Sequence, residues 1–111
     1  MKEADLQKAV QQYLAISGLW YRRVPLGGVA HSVRGSVIYK KNPLVGFPDF
    51  FGYLRNGRGW VLELKTSKGR LSPEQVAMKA ELEKTNVLYC LGRCLPDVID
   101  FVTHIKTVDL T

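Results

Sequence analysis

The sequence predicts a single α/β domain built on a mixed β-sheet with helices on its faces. Three observations predict it. The chain has 111 residues, 46% of them hydrophobic, enough for one modest core and too few for a second domain. Apolar residues recur at helical spacing over residues 2 to 17 and again behind the cap signal LSPEQ. Strand-like apolar runs lie on both sides of that second helix, which makes it a crossover between parallel strands.

In chain order, Leu6, Ala9, Val10, Tyr13 and Leu14 form the apolar stripe of a first helix that ends at Gly18. LWYRRV (19 to 24) has strand composition and is stopped by Pro25 and the Gly27-Gly28 pair. VAHSVRG carries no clear assignment, and SVIYKKN (36 to 42) is a strand ended by Pro43. DFFGYL and WVLELKT, joined by Asn56, Gly57 and Gly59, form a hairpin. The second helix takes Ser72 as N-cap, Pro73 at its first position and Gln75 for a capping box, and runs to about Lys84 with Val76, Met78 and Leu82 in its core. NVLYCL (86 to 91) is a last, buried strand, and Pro96 opens a final helix to about His104. The expected order is α-β-β-β-α-β-α over one domain, residues 1 to 111.

Sixteen Lys and Arg against ten Asp and Glu give a net charge of +6, which favours a polyanionic partner such as nucleic acid. MKEADLQKAV lacks the apolar run of a signal peptide and no window has the length of a membrane span, so the expectation is a cytoplasmic protein with no membrane association. Cys90 and Cys94 are the only cysteines, read as reduced thiols; with His31 and His104 the only histidines, a structural zinc site has little support. GYLRNGRG lacks the P-loop order.

Asp49, Glu63 and Lys65 stand inside otherwise apolar runs. Residues two apart on a strand share a face, so Glu63 and Lys65 project together and Leu62 and Leu64 project the other way. A hairpin turning at 56 to 59 sets residues 49 to 51 near 63 to 65 and gathers two carboxylates and an ammonium. Such carboxylates repel unless one is protonated or a divalent cation lies between them; magnesium is the simplest occupant, and phosphodiester hydrolysis the reaction it would serve. The competing reading puts Glu63 and Lys65 on the wet face of an ordinary strand, with Asp49 a turn residue after Pro48.

The ordered set E-A-D-L-Q (3 to 7), G-F-P-D (46 to 49), E-L-K (63 to 65) and L-S-P-E-Q (71 to 75) resembles the PD-(D/E)XK nuclease superfamily, and within it the virus-type replication-repair nuclease (VRR-NUC) family. The resemblance spans Glu3 to Gln75, with 13 residues between Asp49 and Glu63. It implies a restriction-endonuclease-like core and a metal site of Asp49, Glu63 and the Leu64 backbone carbonyl, binding Mg2+ or Mn2+. Lys65 would handle the attacking water, Glu3 would add a carboxylate, and Gln75 would reach the site from the second helix. Residues 3, 7, 10 and 14 share a helical stripe, which turns Glu3 inward; helix-end roles compete for both Glu3 and Gln75. Residues 25 to 45 fall where the family is irregular.

Arg22, Arg23, Arg34, Lys40, Lys41, Lys68 and Arg70 are the candidates for phosphate contacts, with Lys68 and Arg70 favoured by their place after E-L-K and by Gly69 between them. For Tyr21 and Tyr39 core packing is expected over base stacking. No base-reading motif stands out, so recognition by DNA structure is expected. The resemblance implies a homodimer acting on Holliday junctions or other branched DNA, with replication or repair proteins as further partners and a phage origin compatible with it. The alternatives are a non-cleaving nucleic-acid-binding module of the same fold, or a restriction-type or RNA-cutting nuclease.

Overall fold

A computed structural model describes residues 2–25, 29–40 and 43–109. Three helices, α1 (Glu3–Ser17), α2 (Pro73–Glu83) and α3 (Leu95–Asp109), accompany six strands: β1 (Trp20–Arg23), β2 (Val29–Val33), β3 (Ser36–Lys40), β4 (Phe50–Tyr53), β5 (Gly59–Leu64) and β6 (Leu88–Gly92). Strands β1, β4, β5 and β6 form one mixed sheet in that order. The β1/β4 and β4/β5 pairs are antiparallel, and β5/β6 is parallel across the α2 crossover.

Among the described residues five strands precede α2, where the expected order has three and the runs named along the chain are four. The unassigned VAHSVRG contains β2, which pairs with β3 as a separate two-stranded hairpin between β1 and β4. Its two-residue turn is Arg34-Gly35, with φ of 51° and 79°. Positive φ at both central positions suits the strand twist, but arginine in the first carries none of the Asn-Gly signature by which such turns are read. Without this hairpin, the helices and sheet strands run α1, β1, β4, β5, α2, β6, α3.

The core lies between the sheet and the α1/α3 pair. Leu6, Val10 and Leu14 of α1 and Val98, Val102 and Ile105 of α3 pack on Phe50, Trp60, Leu62 and Leu64. The i, i+3 and i, i+4 spacings of these aliphatics make a single stripe on each helix, and burying it is the main favourable term. Lys106 of α3 donates to the Ser17 carbonyl, setting a cation against the C-terminal end of α1. Helix α2 lies on the opposite face of the sheet, where Leu82, Val61 and Val87 line a shallow pocket. It buries none of its residues, and Val76, expected in its core, is exposed, because the helix covers only the β5/β6 side of that face. Strand β6 is a half-buried edge rather than the buried strand expected, since it pairs on one side only. Helix α3 runs five residues past His104, with Ile105 fully buried in its last turns. Among the described residues, no helix is long and apolar enough to cross a membrane.

Gly52 of β4 sits where no side chain fits: a Cβ there would lie 2.1 Å from the Trp20 carbonyl oxygen and 2.5 Å from the Trp60 ring. Backbone and a fully buried indole cannot both give way. Gly52→Ala is therefore expected to lower unfolding free energy by about 2 kcal/mol or more in urea titration. Gly57→Ala, in open space with φ of 87°, should lose only about 1 kcal/mol. Equal losses at the two positions would contradict the packing described.

Candidate metal and catalytic site

The β4/β5 register pairs Phe50 with Leu62 and Phe51 with Val61, which places Asp49, just before β4, opposite Glu63. Asp49 Oδ2 accepts from the Leu64 backbone N–H at 2.8 Å, so the carboxylate is tied across the hairpin to the residue after Glu63. Leu62 and Leu64 enter the core, and Glu63 points to the other face, as strand alternation requires. That face is not wet here. Glu63 is 2% exposed, because the start of α2 covers it, which overturns the reading of Glu63 as a solvated residue of an amphipathic strand.

Gln75 is the residue that closes the lid. Its side-chain oxygen accepts from the Ser72 N–H and its backbone N–H donates to Ser72 Oγ, completing the capping box. Its Nε2 donates to Glu63 Oε1 at 2.6 Å. One side chain thus completes the capping box and reaches the Glu63 carboxylate. Gly46 makes the approach possible: it has φ of 88°, and a Cβ on it would meet the Glu74 carbonyl oxygen at 2.5 Å. The G-F-P-D segment can therefore lie directly against the first turn of α2.

Burial and mutual repulsion govern the charges. Glu63 is pushed up to about 8, first by burial and then by the Asp49 carboxylate, with the Lys65 ammonium opposing. Asp49 is also raised, mainly by burial, against the lowering effect of the Leu64 N–H. Glu63 Oε2 is buried with no hydrogen-bond partner. An orphaned carboxylate oxygen facing a second carboxylate matches the hard oxygen donors that Mg2+ and Mn2+ take. Among the described residues, no group of three or more His, Cys, Asp or Glu side chains that could hold a metal ion is assembled; Asp49 and Glu63 are the two carboxylates that the hairpin brings together.

Glu3 is not among them. It is exposed on the first turn of α1, the buried stripe of that helix running through Leu6, Val10 and Leu14. Glu3 falls on the same helical face as Leu6, Val10 and Leu14 but stands a turn ahead of the first of them, and its side chain is exposed rather than turned inward. Its charge still reaches the site, raising both Asp49 and Glu63. Lys65 is half-buried beside the pair and forms no ion pair within 4 Å among the described residues; its influence on both carboxylates is through space.

Two supporting residues lay outside the sequence reading of the site. Gln7 Nε2 donates to Asp49 Oδ1 at 3.4 Å and Gln7 Oε1 accepts from Arg23 Nη2 at 3.0 Å, a relay from β1 to the carboxylate. Gln7 stood in the E-A-D-L-Q motif, but its partner across the fold was invisible. Arg93 Nη1 donates to the Thr66 and Gly69 carbonyls, both at 2.7 Å. The Lys65 N–H donates to Gly92, and the Lys65 stem passes Gly69 at van der Waals distance. The β6–α3 junction thus fixes the loop that carries Lys65 and Lys68. Nothing in the local sequence marks Arg93, since its partners are 24 and 27 residues away.

Of the basic candidates, Arg23 is held by Gln7, Arg22 lies over the Trp20 ring, and Lys68 and Arg70 are exposed after Lys65. Arg34 is exposed at the hairpin turn. Lys41 and the side chains of Lys40, Tyr39 and His31 lie outside the described residues. Tyr21 packs on the core against Phe50, as expected. Cys90 is half-buried, its thiol pushed up to about 11 by burial, and Cys94 is exposed.

Because the native pKa of Glu63 lies above its ordinary value of 4.5, the folded protein binds more protons than the unfolded chain between 4.5 and about 8. Stability in chelator is therefore expected to be full below 4.5 and to fall as pH rises towards 8. Glu63→Gln should flatten that dependence, and added Mg2+ should restore the melting temperature of the wild type at pH 8 but not of the variant. Stability that rises over this interval would contradict the burial of Glu63. Arg93→Ala should lower stability by about 2 kcal/mol, from two lost charge-assisted hydrogen bonds, and speed hydrogen exchange at residues 66 to 70.

No family model matches the chain, and no match was found among curated proteins or among solved structures.

Proposed function

We propose that the protein is a Mg2+- or Mn2+-dependent endonuclease of the PD-(D/E)XK type, similar to the VRR-NUC family, that hydrolyses phosphodiester bonds in branched DNA such as Holliday junctions. The observation that carries this reading is the convergence of Asp49 and Glu63, with an unpartnered, buried Glu63 oxygen and Lys65 alongside. A purely structural role accounts poorly for two facing carboxylates without a countercharge in contact, because each pushes the other towards protonation.

Asp49, Glu63 and the Leu64 carbonyl would hold the cation. When bound, it neutralises the carboxylate pair and acts as a Lewis acid towards a phosphodiester oxygen. Lys65 orients the attacking water and counters charge growing on the phosphorane. Gln75 holds the Glu63 carboxylate from one side, and the Gln7–Arg23 relay holds Asp49 from the other. Glu3, exposed at the rim, acts on the pair through space. Lys68 and Arg70 supply phosphate contacts beside the scissile bond. A second copy of the chain, each presenting one site, would match the symmetry of a four-way junction.

Labelled four-way junction, splayed duplex, linear duplex and structured RNA, incubated with Mg2+, Mn2+ or chelator, test this directly. Symmetric nicking of the junction with either metal is expected, lost in chelator and reduced by at least about 100-fold in Lys65→Ala. Tight binding without cleavage under every metal would assign the fold to a binding module instead.

A further inference from the structure

The outer face of β1 and β4 carries an aromatic surface that the metal site does not use. Strand alternation puts Phe51 and Tyr53 on the same side as Asp49, and Trp20 and Arg22 beside them through the Trp20/Tyr53 and Arg22/Phe51 pairs. Trp20 packs on Phe51 at 5.9 Å and on Tyr53 at 5.8 Å, and Phe47 extends the row at 6.4 Å from Phe51. Helix α2 does not cover this end of the sheet. Trp20 is 47% exposed and Tyr53 55% exposed, so two neighbouring rings, tilted by 40° to each other, face solvent.

The charge beside these rings is basic. The exposed Arg22 guanidinium stands 4.7 Å from the Trp20 ring centre, and Arg55 borders Trp20 and Tyr53. The nearby carboxylate, Asp109, accepts from the Asn56 backbone N–H. Tyr53 lies four residues along the chain from Asp49, roughly 13 Å at the rise of a strand. A chain whose scissile phosphate sits at Asp49 and Glu63 can therefore lay its neighbouring bases on the row.

We propose that Trp20, Phe51 and Tyr53, with Arg22, form a stacking platform for unpaired bases of single-stranded DNA next to the cleaved bond. Exposed aromatics offer every base a π-face, and a flanking arginine adds a phosphate contact or a stacked guanidinium. The net charge of +6 favours this polyanionic occupant over a neutral or basic protein surface. The proposal rests on the nuclease reading for its placement beside a scissile bond. The preferred substrates are then branched molecules with an unpaired arm at the branch.

The test is binding by the full chain in chelator, where cleavage plays no part. Trp60 is fully buried, so quenching of tryptophan emission by an oligo(dT) strand reports on Trp20. Quenching by oligo(dT) and none by a blunt duplex of equal length is expected. Trp20→Val and Tyr53→Thr, both strand formers at exposed positions, should each weaken binding of fluorescein-labelled oligo(dT) by about 5- to 100-fold, with the salt dependence unchanged. Wild-type affinity in both variants would overturn the proposal. So would loss of self-association in sedimentation with unchanged oligonucleotide affinity, which would assign the surface to a second copy of the chain. Binding that behaves as expected in a protein that never cuts would leave the platform standing and remove the nuclease reading; cutting with wild-type binding in both variants would do the reverse.

Discussion

Everything in this fold that bears on chemistry follows from two carboxylates being held together where burial and repulsion both oppose their charge. The β4/β5 register sets Asp49 opposite Glu63, and the Leu64 N–H fastens Asp49 there. Glu63 faces away from the α1/α3 core but is still buried, because α2 begins directly over it. Such an arrangement is unfavourable in isolation. It is stable where the carboxylate stays protonated or a cation neutralises the pair, and the second condition is the one that makes a phosphodiester reactive.

The remainder of the molecule serves to hold that pair. The capping box that starts α2 is also what orients Gln75 towards Glu63, so a local stabilising device and a site contact use the same side chain. Gly46 permits the close approach of the G-F-P-D segment to α2. Just after β6, Arg93 fixes the two carbonyls that shape the Lys65 loop. Contacts from α2, the G-F-P-D segment and the β6–α3 junction thus converge on the carboxylate pair and the Lys65 loop, while the apolar core lies on the other face.

Much of this was legible in the sequence, for identifiable reasons. Alternation in WVLELK and the turn residues 56 to 59 place Glu63 on one face and Asp49 opposite it, and LSPEQ contains the whole capping box. What could not be read depended on neighbours distant in sequence. The burial of Glu63 comes from α2, and the roles of Gln7 and Arg93 from partners on other strands and loops. The exposure of Glu3 could not be read because residues 3, 6, 10 and 14 share one helical face, and only packing shows that burial begins at Leu6. Strand β3 was read from SVIYKKN, but β2 and its pairing with β3 were missed because Arg-Gly is an uncommon occupant of a turn with two positive φ angles.

Calorimetric titration of the wild-type chain with Mn2+ near pH 7, repeated in two buffers of different ionisation enthalpy, tests the paired-carboxylate site most directly. The account predicts a single ion per chain, bound with release of up to about one proton as Glu63 ionises, and binding abolished in both Asp49→Asn and Glu63→Gln. Binding that survives either substitution, or no binding to a folded wild-type chain, would contradict it.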